Sequence, residues 1–286
     1  MSISVVFEDN HVVIVNKPAG LATMGTSPTE PSLARDVQSY LKRKYNKPGN
    51  VYLGVVSRLD SVTSGLVVFA KTSKAAARLT NQFRERTVVK WYLATVPSVR
   101  GPWLEQRHAL PESAWFDSAQ IFWQDTVWKD DSAQRMRVRQ ADMPTKPAGN
   151  LRKLDESGED AQLAQLTWRV LGRGPAYDLV LVRLLTGRKH QIRVQFAERG
   201  FPVLGDRKYG SRVAFGQGIA LHSWRLELEH PVAKTKLSFF QEPPQSWSGL
   251  DAIHVEPDVP HQAKGEIRPL ALCRFLKNHL LPGSLG

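Results

Sequence analysis

The sequence predicts an α+β fold on a mixed sheet, and three observations carry that expectation. Apolar strand-like runs and amphipathic helical stretches follow one another irregularly, without the strict strand–helix alternation of a doubly wound parallel fold. No internal repeat of fixed period is present. The chain has 286 residues, 42% of them hydrophobic, enough for one large domain or two small ones.

The elements are expected in this order. Residues 12–15, V-V-I-V, form a short buried-strand candidate closed by the Pro and Gly of N-K-P-A-G at 16–20. Residues 25–31 are rich in Thr, Ser, Pro and Gly and read as a loop. Ser32 is a candidate N-cap for a helix to about Lys44, with Leu33, Val37 and Leu41 on one face; N-K-P-G-N at 46–50 stops it. An apolar strand over 66–70 follows. Thr72 or Ser73 caps the next helix, which turns Ala76, Leu79 and Phe83 inward and Arg78, Arg84, Glu85 and Arg86 outward. Residues 91–96 are again a strand. Residues 100–165 give the weakest pattern: short strand-like pieces, four Trp, and a polar run at 145–160 that reads as an exposed insertion. Strands are expected over 166–171 and 179–185. A helix is expected from Thr186-Gly187 to about Gly200, and a strand over 220–228. Pro243-Pro244 marks a boundary, and a last helix is expected over 270–281.

Composition narrows the function classes. Net charge is +12 and the isoelectric point about 9.9, a basic excess that suits a polyanion, nucleic acid first. An acidic membrane surface is the rival, but no basic amphipathic helix with an aromatic face supports it. No apolar run approaches ~18 residues, and the N-terminus has no basic region before its apolar residues. The single Cys273 sits among Leu272, Phe275 and Leu276 and reads as a small buried hydrophobe; no Cys/His spacing suggests zinc. A reducing, cytoplasmic compartment fits.

Two strings can carry chemistry. Residues 58–66, R-L-D-S-V-T-S-G-L, set Asp60 in a polar loop before an apolar strand. By residue type alone Asp60 reads as a turn-capping residue, because Asp side chains accept backbone N–H groups. Residues 186–193, T-G-R-K-H-Q-I-R, place Arg188 and Lys189 in the first turn of the expected helix. Cations there oppose the helix dipole, which makes sense if a phosphate binds at that end; otherwise the string is an exposed basic turn. His190 and Arg193, three apart, share a face.

Arg58, Asp60, Thr63, Ser64 and Gly65 at this spacing resemble the catalytic motif of the RluA family of pseudouridine synthases, and Gly187, Arg188, His190, Gln191, Ile192 and Arg193 resemble another of its motifs. Three further strings agree in order. They are V-N-K-P-A-G-L at 15–21, K-W-Y-L-A at 90–94, and G-D-R-K-Y-G at 205–210 followed by 221–226 and His230-Pro231.

The resemblance covers roughly residues 5–240. It implies a largely antiparallel central sheet flanked by helices and loops in one catalytic domain, residues 1–250. Residues 100–165 are then an insertion, and 251–286 a C-terminal extension packed on the same domain. It implies Asp60 as the catalytic carboxylate, Tyr92 lining the site against the base, and Arg193 paired with Asp60. Such a partner favours the charged carboxylate and fixes its orientation. Arg58, Lys71, Arg188 and Lys189 become phosphate-contact candidates, with His190 and Gln191 also on the substrate. Lys17 and Asp206 read as turn or structural residues, and His222 and His230 as strand-end polar residues.

The implied substrate is structured RNA, ribosomal or transfer, with no metal, no organic cofactor and no membrane partner, handled by a monomer. The chain starts directly in the catalytic pattern, leaving no room for a small N-terminal RNA-binding domain. Two positions depart from the family: Ser57 stands where His is common, and so does Gln195. They leave open an inactive RNA-binding protein of the same fold. A glycosidic-bond hydrolase is the other rival, and it would need a second carboxylate such as Asp206.

Overall fold

Strand β2 (Val12–Lys17) shows how the sheet is covered. Side chains alternate across a strand. Val13 and Val15 pack with Val67 and Phe69 under helix α1 (Leu33–Lys44), through Leu33, Val37 and Leu41. Val12 and Ile14 pack with Leu66 and Val68 on the other face, under α2 (Ser73–Glu85), through Ala75 and Leu79. A strand buried on both faces reads as a continuous apolar run, which is why 12–15 and 66–70 carry no alternation.

The computed structural model describes residues 3–25, 27, 29–99, 121–140, 152–154, 160–250, 253–255, 266, 267 and 271. In chain order the strands are β1 (Ser4–Glu8), β2, β3 (Gly54–Val55), β4 (Ser64–Ala70), β5 (Val89–Pro97), β6 (Ile121–Asp130), β7 (Arg135–Gln140), β8 (Arg152–Leu154), β9 (Asp160–Arg173) and β10 (Tyr177–Leu184). Then come β11 (Leu221–Glu229), β12 (Lys236–Phe240), β13 (Ile253–Val255) and β14 (Glu266–Ile267). The sheet runs β1-β2-β4-β11-β5-β10-β9-β13-β14, with β12 on β11 and the β6–β7 hairpin on β9. Among the described pairings only β4–β11 is parallel, with Ser64 opposite His222 and Gly65 opposite Ser223. The fold is α+β with a mixed, largely antiparallel sheet, as the sequence predicts.

Gly65 makes the parallel junction possible. Its φ is +112°, and a Cβ there would lie 2.3 Å from the Ser223 carbonyl oxygen. The Ser64 hydroxyl meets His222 Nδ1 at 2.8 Å across the same junction, and His222 Nε2 meets the Gln241 carbonyl at 2.9 Å. His222 is fully buried, and burial pulls its pKa down to about 4. It is a neutral structural bridge.

Helix starts differ from expectation in two places. Ser32 occupies the N-cap of α1 without a side-chain capping bond, whereas Thr72 caps α2 by accepting from Ala75 N–H at 3.2 Å. The third helix, α3 (Gln191–Glu198), begins several residues after Thr186-Gly187. The Gln191 side chain is the reason. Its Oε1 accepts from Thr186 Oγ1 at 2.7 Å and from Arg188 N–H at 3.0 Å, folding 186–190 into a turn. Arg188 and Lys189 therefore stand in this turn and not in a helical first turn.

Within 100–165, the described residues 121–130, 135–140 and 160–165 are strand. The inward face of β6 carries Trp123, Asp125 and Val127, and the buried Asp125 interrupts the apolar alternation. Asp125 is paired by Arg199 at 2.9 Å and by Gln195 Nε2 at 2.6 Å. Trp123, Trp168 and Phe196 form an aromatic cluster, with centroids 4.7–5.3 Å apart, that seats α3 on the sheet. In the tail, β13 pairs β9 and β14 pairs β13. The helix expected over 270–281, Cys273 and most of the 145–160 run lie outside the described residues.

Candidate active site

Asp60 sits on a loop clamped from beneath. Lys17, wholly buried, donates its ammonium protons to the carbonyls of Pro18, Leu21 and Ser61 at 2.7–3.0 Å. Gly20 N–H reaches the Ser61 carbonyl at 2.8 Å. Thr23 exchanges hydrogen bonds with Leu59 N and O at 3.0 and 2.8 Å. The N-K-P-A-G-L segment is thus a bracket for the Asp60 loop. Burial lowers the Lys17 pKa to about 8, with the Asp60 charge pulling it back up.

Asp60 Oδ2 accepts from Arg193 Nη1 at 2.9 Å. Arg193 in turn is gripped by Asp206, through Nε to Oδ2 at 2.7 Å and Nη2 to Oδ1 at 3.0 Å. This two-bond fork fixes the guanidinium plane. Burial works against the Arg193 charge, and Asp206 and Asp60 more than offset it, so its pKa is raised. The expected Asp60–Arg193 pair, 133 positions apart in sequence, is formed.

His190 approaches the other oxygen, with Nε2 3.7 Å from Asp60 Oδ1. Its Nδ1 lies 2.8 Å from the Tyr209 hydroxyl, which accepts from Met136 N–H at 3.1 Å. The Tyr209 proton then fits Nδ1, leaving the ring hydrogen on Nε2 facing Asp60. Burial holds His190 down at about 4 despite the Asp60 charge. Its backbone is left-handed, φ +54°, at the N-cap of α3, a sparsely populated conformation for a residue other than glycine.

Tyr92 on β5 is nearly buried, and its hydroxyl bonds to Ser223 opposite on β11. Burial raises its pKa. Its ring still lines an open cleft of about 1260 Å³ shared with Asp60, His190 and Arg193. Asp60 is the one acid lining this cleft among the described residues. Arg58, Arg84, Arg86, Lys90, Arg188, Lys189 and Arg193 line it as cations.

The expected substrate contacts divide. Arg58 and Lys189 are exposed on the cleft, and Arg188 lines it with Nε tied to the Leu163 carbonyl at 2.9 Å. Gln191 is buried, and its amide is committed to the turn through Thr186, Arg188 and the Gln165 carbonyl. Lys71 is not part of the site. Its ammonium pairs with Glu8 at 2.7 Å and stands over the Tyr45 ring, because β4 ends on the side of the sheet where β1 offers a buried carboxylate.

Of the two departures, Ser57 Oγ both donates to Val68 O and accepts from Val68 N at 3.2–3.3 Å, tying the loop to β4. Gln195 faces Asp125 and the sheet, away from Asp60. Asp206 and Tyr209 were not singled out as site residues by the sequence. Their one signal is the G-D-R-K-Y-G string, which names the residues but not their partners. Among the described residues, no three His, Cys, Asp or Glu cluster in a way that holds a metal.

Residues 11–198 match the family described as RNA pseudouridylate synthase. The chain is 32% identical over 242 residues to the dual-specificity RNA pseudouridine synthase RluA of Vibrio vulnificus, covering 82% of this chain and 81% of that protein. It is 27% identical over 240 residues to the ribosomal large subunit pseudouridine synthase C of Vibrio cholerae, covering 82% of this chain and 63% of that one. The solved structure of human RNA pseudouridylate synthase domain containing 4 shares the fold, with TM-score 0.62, 21% identity, and coverage of 85% of this chain and 89% of that chain.

Proposed function

The chain belongs to the RNA pseudouridylate synthase family and isomerises uridine in RNA to pseudouridine; from that premise we propose that Asp60 is the carboxylate that acts on the nucleotide. The observation that supports this most is the division of the Asp60 carboxylate. One oxygen is held by an Arg193 that Asp206 has already oriented, the other faces His190, and Asp60 lines the same cleft as Tyr92.

The reaction breaks the bond between uracil N1 and the anomeric carbon, turns the base, and joins its C5 to the same carbon. The C5 proton leaves and N1 gains one, so no oxidant or group donor is consumed. A carboxylate bonding to the sugar and one abstracting a sugar proton share a requirement: it must be charged and aimed. Arg193 supplies the aim. The Tyr92 ring packs on the base, and its hydroxyl is held protonated by burial and bonded to Ser223. The target uridine reaches Asp60 by leaving its stack, which costs least in loops of structured ribosomal or transfer RNA. The protein works as a monomer in the cytoplasm, without metal or cofactor. The hydrolase reading finds no support, because Asp206 is buried and spent on Arg193.

The test is a pseudouridine map of RNA from cells lacking this protein, complemented with wild type or Asp60→Asn. One or a few sites should disappear and return only with wild type, while purified Asp60→Asn still binds the same RNA. Full restoration by Asp60→Asn would remove Asp60 from the reaction and favour an RNA-binding role.

A further inference from the structure

Tyr209 touches both residues that flank Asp60, and the reaction as derived gives it no part. Its ring faces the Arg193 guanidinium, with the centroid 5.1 Å from Cζ. Its hydroxyl meets His190 Nδ1 at 2.8 Å, and the two rings stand edge to face at 5.6 Å. Arg193 holds Asp60 Oδ2 at 2.9 Å, and His190 Nε2 stands 3.7 Å from Oδ1. One aromatic side chain thus backs the partners of both carboxylate oxygens.

Tyr209 is itself fixed from several sides. It closes the single turn Arg207–Tyr209 that starts at Asp206, with Tyr209 N–H donating to the Asp206 carbonyl at 3.1 Å. The turn therefore delivers together the acid that grips Arg193 and the ring that covers it. That ring packs with Val127, Met136 and Val138 of the β6–β7 hairpin and with Val194 of α3. The hydroxyl accepts from Met136 N–H at 3.1 Å, and Lys208 Nζ donates to the hairpin's Gln134 carbonyl at 2.6 Å. A hydroxyl has one proton to give. This one, accepting from Met136, gives its proton to Nδ1, which leaves the hydrogen of a neutral His190 on Nε2. Burial, with the charges of Arg193, Lys189 and Lys208, keeps the imidazole neutral against the pull of Asp60. Nε2–H is then the hydrogen that points at Oδ1. The 3.7 Å separation is longer than a hydrogen bond, as such contacts often are before substrate closes a site.

We infer that Tyr209 is a positioning residue for Asp60: its ring steadies Arg193 and its hydroxyl sets the His190 tautomer, so each carboxylate oxygen faces a donor already aimed. The assignment rests on the reading of Asp60 as the carboxylate that acts on the nucleotide. It also joins the chemistry to the β6–β7 hairpin, whose Met136 N–H orients the hydroxyl. Without that hydroxyl the imidazole is free to turn its bare nitrogen toward the carboxylate, and the aim that a nucleophile and a base both need is lost.

The test compares wild type, Tyr209→Phe, His190→Asn and the double variant, each as the full chain, on an RNA that wild type modifies. Phenylalanine keeps the ring and removes only the hydroxyl. Asparagine tolerates the left-handed backbone at His190 and is too short to reach Asp60. Tyr209→Phe should bind RNA within about two-fold of wild type and lower the single-turnover rate about tenfold. His190→Asn should be slowed at least as much. The double variant should be no slower than His190→Asn alone, because the hydroxyl acts through the imidazole. Histidine nitrogen NMR at neutral pH should show wild-type His190 with its hydrogen on Nε2, and Tyr209→Phe should lose that single pattern. An unchanged rate in Tyr209→Phe would make the tyrosine purely structural and overturn the proposal, whatever happens to the urea midpoint. So would a loss of affinity equal to the loss of rate, losses that multiply in the double variant, or a wild-type Nδ1–H tautomer. The wild-type spectrum needs no variant and no turnover, so it decides even if Tyr209→Phe fails to fold. Asp60→Asn separates the two readings. At wild-type rate it removes Asp60 from the reaction, whereas an inactive Asp60→Asn beside a full-rate Tyr209→Phe overturns the role of Tyr209 alone.

Discussion

Arg193 is held before it holds. Its fork to Asp206 uses Nε and Nη2, which leaves Nη1 alone for Asp60, so the carboxylate meets a donor whose plane is already set. A lysine is a point charge on a flexible stem and cannot reproduce a two-sided fork. Arg193→Lys should therefore keep RNA affinity within a few-fold and lower the single-turnover rate by about 10²-fold, the scale of a misplacement near 1 Å. Asp206→Asn should lower the rate in the same direction while the Tyr92 environment, read by tyrosine fluorescence, stays native. A rate loss matched by an equal loss of RNA affinity in both variants would mean that Arg193 binds substrate and does not position Asp60. At this scale the sequence was partly legible. Asp60, Tyr92 and Arg193 stood in strings whose spacing resembles a family, but the partner of Asp206 could not be read. Nothing in G-D-R-K-Y-G says that its acid serves Arg193 on α3 and its tyrosine His190 in the turn before it. Lys71 misled because a lysine closing a strand looks the same whether it faces a phosphate or, as here, the buried carboxylate of Glu8.

The elements converge on the site through one junction, where β4, leaving the Asp60 loop, runs parallel to β11 and places Ser223 against both Gly65 and Tyr92. Gly65 carries that approach. Gly65→Ala adds a Cβ 2.3 Å from a backbone oxygen, at a φ that alanine resists, so the strands must part. The expected outcome is loss of more than about 4 kcal/mol of stability or failure to accumulate folded protein, within the range reserved for such clashes. Gly49→Ala, where a Cβ meets nothing within 4 Å, should leave the urea midpoint nearly unchanged. Equal midpoints for the two variants would show that the junction yields without cost. Strands β2 and β4 were readable as continuous apolar runs, and helices α1 and α2 by the regular spacing of their apolar residues. The start of α3 was not, since one buried glutamine side chain bends 186–190 away from the helix, and residue type does not distinguish a glutamine that extends a helix from one that delays it. Strand β6 was hidden by Asp125, a buried acid whose partner Arg199 lies 74 positions away.

Over the whole molecule, two histidines tie stability to pH. His222 bridges the β4–β11 junction, and His190 stands between Asp60 and Tyr209; burial lowers both to about 4 from an ordinary value of 6.5. As pH falls, the unfolded chain takes up these protons first, near 6.5, and the folded chain only near 4. Stability is therefore full above about 6.5 and is lost through the window from 6.5 to 4. Between pH 7 and 5 the fully buried His222 contributes roughly 2 kcal/mol of loss by this linkage, and the less buried His190 a smaller share. Carboxylates held low by their partners, Glu8 and Asp130 among them, act below their own ordinary values of 4.5 and 3.8, so they leave the upper part of the window clear. Urea unfolding at pH 7, 6 and 5 should show wild type losing stability steeply. His222→Gln should start lower at pH 7, because the Ser64 and Gln241 bonds are disturbed, yet lose less on acidification. The same flattening is expected of His190→Gln, whose side chain is nearer the surface and whose share is smaller. A His222→Gln protein with the wild-type slope would mean that His222 takes up its proton in the fold as readily as in the unfolded chain. The bridge across the parallel junction would then be an ion held by two neutral oxygens, an arrangement its complete burial makes costly.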